Sequence, residues 1–279
     1  MTNLVPGLQK VTAPNGSVMT GAGTNCWIIG DRQKVVIDPG PDIAEHIDAL
    51  EQAGAGAISH ILVTHTHRDH SPAVAELKRR TGAVVCGAVL DHNDGFQDTT
   101  FVADQPLREG EPIVVGDATI EPIHTPGHVE NHFCFHWREQ GVIFTGDHLM
   151  QGSTVVIIPP AGDMYDYLHS LEKLLPYQPH YLAPGHGDLM PDCRAVIEGV
   201  IAHRLKRERK VVEVMQRIAP ASLDALLAQV YDDVVPEVVT FARLSLWAHL
   251  RKLAKDGRAV EQPQSDNFAD AIWSLSETA

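Results

Sequence analysis

Ile58-Ser59-His60-Ile61-Leu62-Val63-Thr64-His65-Thr66-His67-Arg68-Asp69-His70 decides how this chain is read. Its first half is an apolar run of strand length, and its second half packs four metal-ligating side chains into six residues. Imidazole nitrogens and carboxylate oxygens are ligands that zinc accepts at about 2.0 to 2.2 Å. A strand that stops at Val63 releases these groups into a tight loop at a sheet edge. His65 and His67, two apart, point the same way from an extended segment, while Asp69 and His70 come round the following turn. A lone histidine in a sequence that holds sixteen of them is ordinarily a surface or core residue. An HxHxDH cluster on a strand end has no packing use that calls for it.

The same design recurs downstream. Thr125-Pro126-Gly127-His128 follows the strand-like Ala118 to His124, Thr145-Gly146-Asp147 follows Gly141 to Phe144, and Pro184-Gly185-His186-Gly187 follows His180 to Ala183. Each is an apolar extended run, a small or turn-forming residue, then one His or Asp. With the first cluster this makes seven candidate ligands, His65, His67, Asp69, His70, His128, Asp147 and His186, a set suited to a dinuclear metal centre.

At this point the chain resembles the metallo-β-lactamase-fold hydrolases, with the full motif series in order over roughly residues 15 to 190. The resemblance implies an α/β fold, a four-layer αββα sandwich with the metals at one edge of its two sheets. It implies further that His65, His67 and His128 hold one metal, that Asp69, His70 and His186 hold the other, and that Asp147 bridges both. Asp38, which ends the strand Val35 to Ile37, lies where many such proteins carry an acidic residue behind the metal loop. It would orient a ligating imidazole through its other ring nitrogen. His148, beside Asp147, is a further candidate to touch the site, and His124, His132 and His136 are weaker ones. Cys193 is weighed as a ligand and set aside because it lies beyond the last motif, and His92 is read as a surface residue.

Around the motifs, helix and strand patterns alternate as a layered α/β architecture requires. Ile43 to Ala53 has helical apolar spacing with a stop at Gly54-Ala55-Gly56. Ser71-Pro72 suits a helix start, and Asp163 to Leu175 is a helix. Residues 90–101 are polar and have no assigned form. The glycines of Gly21-Ala22-Gly23-Thr24-Asn25 would let backbone approach a ligand closely, although a hairpin turn explains them equally well. Ser153, in the loop before the Asp163 helix, is a candidate substrate contact.

Beyond Pro191 the composition changes. A long charged helix from Arg194 to Ile218 is followed by helical patterns at Ser222 to Val230 and Pro236 to Lys255. A tight turn and short strand at Asp256 to Glu261 then complete the outline of a winged helix. The expected division is 1–191 for the metallo-β-lactamase-fold catalytic domain, 192–262 for the winged-helix-like domain and 263–279 for a C-terminal tail without an interpretation. A full metal set followed by such a tail resembles the β-lactamase-like-protein-2 group, whose animal member is known as a mitochondrial endoribonuclease acting on single-stranded RNA. The chain departs from that group in having no Arg-rich transit peptide. The interval from Asp147 to His186 has no room for the inserted domain of the β-CASP nucleases. The flexible arm and HEAT tetrapeptide of the tRNA 3′-processing relatives are not seen either.

Composition bounds the partners. A formal charge of −14 over 279 residues argues against a surface that attracts nucleic acid or anionic membrane as a whole. It leaves room for a local basic patch, and Arg204 to Lys210 carries five basic residues against Glu208. His203, Arg204 and Arg207 can share one helix face and are read as binding an anionic substrate. The four scattered cysteines predict reduced thiols, and Met1 to Lys10 lacks a signal peptide pattern. No run approaches the roughly 20 apolar residues of a membrane span. A cytoplasmic protein is expected, either monomeric or oligomeric.

The expected chemistry is hydrolysis without a covalent intermediate, by a hydroxide bridging two metals, with Asp69 and His70 as the catalytic residues. Two Zn2+ per chain are the first choice for an imidazole-rich site, with Mn2+ or Fe as alternatives. The substrate is open between phosphodiester bonds of single-stranded RNA and a small thioester or lactone, the latter as in glyoxalase II. A mononuclear-iron persulfide dioxygenase and a non-catalytic binding protein complete the field.

Overall fold

The computed structural model describes residues 5–90, 95–262 and 271–276, so His92 lies outside the described residues. The chain forms two compact units. The first comprises Met1–Thr125, Asn131–Val155 and Leu175–Arg194, and the second Pro126–Glu130, Val156–Leu174 and Ala195–Ala279. A single cut near 192 does not describe this grouping. The helix of residues 164–174 joins the second unit because its acidic N-terminal turn is bound there, Asp163 and Asp166 both meeting Lys255 Nζ at 3.2 and 3.1 Å.

In the first unit, β1 (Leu8–Thr12), β2 (Asn25–Ile29), β3 (Lys34–Ile37), β4 (Ile58–Leu62), β5 (Val84–Gly87) and β6 (Gln105–Pro106) make a sheet in that order. Strands β1 to β3 run antiparallel and β3 to β6 parallel. The second sheet has the order β11 (Tyr181–Pro184), β10 (Val142–Gly146), β9 (Phe133–Trp137), β8 (Ala118–His124) and β7 (Ile113–Val115). Only its β10/β11 pair is parallel.

Strand alternation sorts the side chains. Trp27, Ile29, Val35, Ile37 and Leu62 share a core with Ile120, Phe133, Phe135, Val142 and Phe144 of the other sheet. Cys26, Ile28, Val36 and Ile61 point to the opposite face, against helices α1 (Ala44–Gly54) and α2 (Val74–Thr81). Burial on both faces explains why β2 and β10 read as unbroken apolar runs rather than alternating ones.

The helix signals were right in kind and shifted in detail. Helix α1 does end in the Gly54-Ala55-Gly56 stretch, where Ala55, φ 51°, and Gly56, φ 73°, are both left-handed. Gly54 serves contact instead, since a Cβ there would lie 2.3 Å from Ile58 Cδ1. Ser71 does not cap α2, whose N-cap is Ala73 without a side-chain bond. Its hydroxyl donates to Asp98 Oδ2 at 2.8 Å.

In the second unit, α3 (Met164–Leu174) starts at Asp163, whose Oδ1 accepts from Tyr165 N and Asp166 N at 2.7 and 3.0 Å. Helices α4 (Cys193–Ile218), α5 (Leu223–Val230) and α6 (Val239–Lys255) follow. Ser222 caps α5, accepting from Ala225 N at 3.3 Å. A three-stranded sheet of order β12 (Ala221–Ser222), β14 (Ile272–Leu275) and β13 (Ala259–Gln262) completes the winged helix. Its middle strand comes from the stretch that the sequence left without an interpretation. Trp273 of that strand is fully buried among Val214, Leu226, Trp247 and Leu250. The expected fold class, a metallo-β-lactamase α/β sandwich followed by a winged helix, is the observed one. No helix among the described residues is long and apolar enough to cross a membrane. All four cysteines are free and buried.

Candidate metal centre

The metal loop leaves β4 through Val63 and Thr64, and Asp38 anchors it from below. Asp38 Oδ1 accepts from Thr64 N at 2.7 Å, and its Oδ2 accepts from Thr64 Oγ1 at 2.7 Å and from His70 Nδ1 at 3.0 Å. This buried carboxylate has a left-handed backbone, φ 52°, which the surrounding bonds hold against its intrinsic cost. One side chain therefore shapes the loop and orients a histidine at its end.

Within the first unit the expected ligands converge. His65 Nε2 lies 3.0 Å from His67 Nδ1. His70 Nε2 is 3.4 Å from Asp69 Oδ2 and from Asp147 Oδ1, and His186 Nε2 is 3.3 and 3.2 Å from the same two oxygens. The ligand atoms of His65, His70 and Asp147 lie within 4.8 Å of one another, as do those of Asp69, His70 and His186.

The outward ring nitrogens of His65, His70 and His186 each face an acceptor. His65 Nδ1 faces Thr64 Oγ1 at 3.0 Å, His70 Nδ1 faces Asp38, and His186 Nδ1 faces Gly23 O at 3.2 Å. Donation from Nδ1 fixes the tautomer that leaves the Nε2 lone pair directed inward, as metal ligation needs. His128, on the 126–130 segment of the second unit, has the same arrangement, its Nδ1 2.9 Å from Val156 O.

Electrostatics match a cation site. Burial, together with neighbouring His70, His67 and His132, holds His65 well below the ordinary imidazole range and therefore neutral. Burial alone would lower His70 and His186 as well, but Asp69 and Asp147 outweigh it. His70 is raised well above its usual value and His186 is pushed up to about 10. Burial opposes ionisation of Asp69 and Asp147, yet both are held far below the usual carboxylate range by His70 and His186. A field that retains protons on two buried imidazoles is one that a divalent cation can take over by displacing them.

Several residues that support the site escaped the sequence reading. Asn25 Nδ2 donates to Pro184 O and Gly187 O at 3.1 and 2.7 Å, Asn25 N donates to Gly185 O at 2.7 Å, and Trp27 Nε1 donates to Pro184 O at 3.0 Å. These bonds hold the His186 loop against β2. Thr24 Oγ1 donates to Asp69 Oδ2 at 3.2 Å. A Cβ on Gly185 would lie 2.8 Å from both Asp147 Oδ1 and His70 Cε1, so only glycine lets that loop pass. The glycine-rich stretch Gly21 to Asn25 was the signal, and it serves both readings, a hairpin and a close backbone approach.

Among the other histidines, the ring of buried His132 is 5.1 Å from that of His65 and 5.8 Å from that of His148. Ser153 is exposed, and Gln151 contacts the His186 loop instead, its Oε1 accepting from Asp188 N at 3.0 Å. In the second unit His203 is exposed and Arg204 is buried, donating to Ser245 Oγ at 3.4 Å and lying over the Tyr167 ring. Arg207 makes a forked pair with Asp233 at 2.8 and 3.2 Å, and Lys210 pairs with Asp232.

Comparison with known proteins agrees with this geometry. Residues 19–186 match the Metallo-beta-lactamase superfamily, and residues 222–273 match the Beta-lactamase associated winged helix domain. A Beta-lactamase-like protein 2 homolog from Caenorhabditis elegans is 30% identical, over 94% of this chain and 88% of that protein. An Atrochrysone carboxyl ACP thioesterase from Emericella nidulans is 31% identical, over 91% of this chain and 80% of that protein. The crystal structure of a metallo-beta-lactamase family protein from Thermus thermophilus superposes with a TM-score of 0.77 at 21% identity, covering 98% of this chain and 99% of that one. The ordered ligand motifs, the paired sheets and the winged helix together make this chain a member of the metallo-beta-lactamase superfamily and a metal-dependent hydrolase.

Proposed function

We propose that the chain hydrolyses a thioester, with two zinc ions held by His65, His67 and His128 on one side and Asp69, His70 and His186 on the other, Asp147 bridging them. Manganese or iron would suit the same mixed imidazole and carboxylate set. Bound there, such ions supply a lowered water pKa and a Lewis acid for the carbonyl. Asp69, steadied by the Thr24 hydroxyl, would accept a hydrogen of the attacking water and orient it. Asp38 keeps His70 in the ligating tautomer through its Nδ1.

One observation carries the choice of substrate over a polyanion. Three of the five cations in the basic run of α4 are engaged inside its own unit, with Arg204 buried, Arg207 on Asp233, and Lys210 on Asp232. Single-stranded RNA would have to displace these pairs on a chain of net charge −14. The thioesterase relative from Emericella nidulans supports the same reading.

The test is a turnover screen of zinc- or manganese-loaded protein on an acyl thioester, a lactone, bis(p-nitrophenyl) phosphate and single-stranded RNA. Thioester turnover that chelator removes and metal restores is expected. RNA cleavage without thioester turnover would reverse the assignment.

A further inference from the structure

Three large apolar side chains stand in water on the two segments that flank the ligands of the first unit. Phe96 is 51% exposed, Met19 47% and Val18 87%. Singly exposed apolar residues are ordinary, so their attachment is what matters. The segment with Phe96 is zipped to the metal loop: Arg68 N donates to Phe96 O at 3.1 Å, Asp98 N donates to Thr66 O at 2.6 Å, and His67 and Gln97 form a β-bridge. The Phe96 ring meets the His67 ring edge-on at 6.1 Å.

Val18 and Met19 occupy the tip of a hairpin whose ends, Ser17 and Gly21, exchange backbone bonds of 3.1 and 2.8 Å. Ser17 Oγ accepts from Met19 N and Thr20 N, both at 3.1 Å, and Thr20 Oγ1 donates to Asn15 O at 2.7 Å. These are turn bonds that polar residues make for themselves. The two positions at the tip are nevertheless apolar. The returning limb then reaches the ligands, through Gly23 O with His186 Nδ1 and Thr24 Oγ1 with Asp69 Oδ2. The ligands are therefore bracketed by Phe96 beside His67 and by the hairpin beside Asp69 and His186.

We propose that the acyl side of the substrate is apolar and rests on Phe96, with Val18 and Met19 closing over its far end. This deepens the thioesterase reading and rests on it for the reacting bond. Phe96 is then a specificity-determining residue: its edge-on seat against a ligand brings an apolar group beside the reacting carbonyl. An aromatic side chain buries about 150 to 250 Å2 in all, and with 51% of Phe96 still exposed roughly half of that is open to an acyl chain. A fully buried methylene strengthens binding about fourfold, and a half-open rim about twofold.

The experiment titrates the zinc-loaded chain with straight-chain carboxylates from acetate to octanoate, as product mimics that need no turnover. Octanoate should bind at least about tenfold more tightly than acetate. Phe96→Ala should cut that ratio to about threefold, and Phe96→Leu should keep most of it. Met19→Ser, on the other segment, should reduce the ratio for octanoate and leave the step from acetate to butyrate in place. Metal content and unfolding midpoint are measured on every variant. A chain-length ratio near one in the wild type, or an unchanged ratio in both Phe96→Ala and Met19→Ser, overturns the proposal. Absence of thioester turnover alongside a normal chain-length ratio would overturn only the thioesterase reading.

Discussion

Asp147 stands at 3.4 Å from His70 Nε2 and 3.2 Å from His186 Nε2, so two imidazoles depend on one carboxylate. Replacing it removes a proposed ligand and part of the field together. Asp147→Ala should bind fewer than two metals per chain at saturation in elemental analysis, whereas Asp69→Asn should stay folded and lose most hydrolytic turnover. Wild-type metal content in the first variant and wild-type turnover in the second would contradict these roles. Asp38 tests orientation without removing a ligand. Its left-handed backbone is one that Asn also adopts, so Asp38→Asn keeps the conformation and loses the charge-assisted bonds to Thr64 and His70. A loss of roughly 2 to 3 kcal/mol is expected from chemical denaturation, with weaker metal affinity. Asp38→Ala should cost more, because it adds backbone strain to the same loss.

Elements were legible where a local pattern sets them. The apolar runs of β2 and β3, the spacing of Ile47 and Leu50 in α1, and the Ser222 cap of α5 all report on neighbours close along the chain. Strand β14 was not legible, because its identity rests on pairing with β12 and β13 and on the burial of Trp273. Four residues with one large aromatic carry no periodicity of their own. Trp273→Ala should therefore destabilise the winged-helix unit by roughly 3 to 5 kcal/mol, measured by urea unfolding. A change under about 1 kcal/mol would mean that β14 contributes little to that core.

At the scale of the molecule, buried His249 gives stability a dependence on pH. It lies in α6, and neither ring nitrogen meets a hydrogen-bond partner among the described residues. Burial, then Arg204 and Lys252, hold it well below its usual value. Below about pH 6.5 the unfolded chain takes up a proton that the folded chain refuses, so stability is intact above that value and falls as pH drops through it. The slope can reach about 1.4 kcal/mol per pH unit. His65 acts in the same direction and His70 and His186 in the opposite one, so the test is the difference: between pH 7.5 and 5.5 in urea unfolding, His249→Leu should lose less stability than the wild type. An equal loss in the variant would assign the effect to other groups.

The candidate ligand types, their order and the strand before each of them were legible in the sequence alone, because the proposed metal site at a sheet edge needs a run, a turn and a donor that are contiguous in the chain. The winged-helix class was legible for the same reason, through caps and helical periodicity. Only the tertiary structure decided that Asn25 and Trp27 carry the His186 loop and that Arg207 is paired with Asp233. It also decided that α3 belongs with the second unit. Each of these joins residues far apart in sequence, where a side chain's partner is set by how sheets and helices pack rather than by its neighbours along the chain. The charge of α4 could be counted from the sequence, but whether those cations are available to a substrate depends on which carboxylates the fold brings beside them.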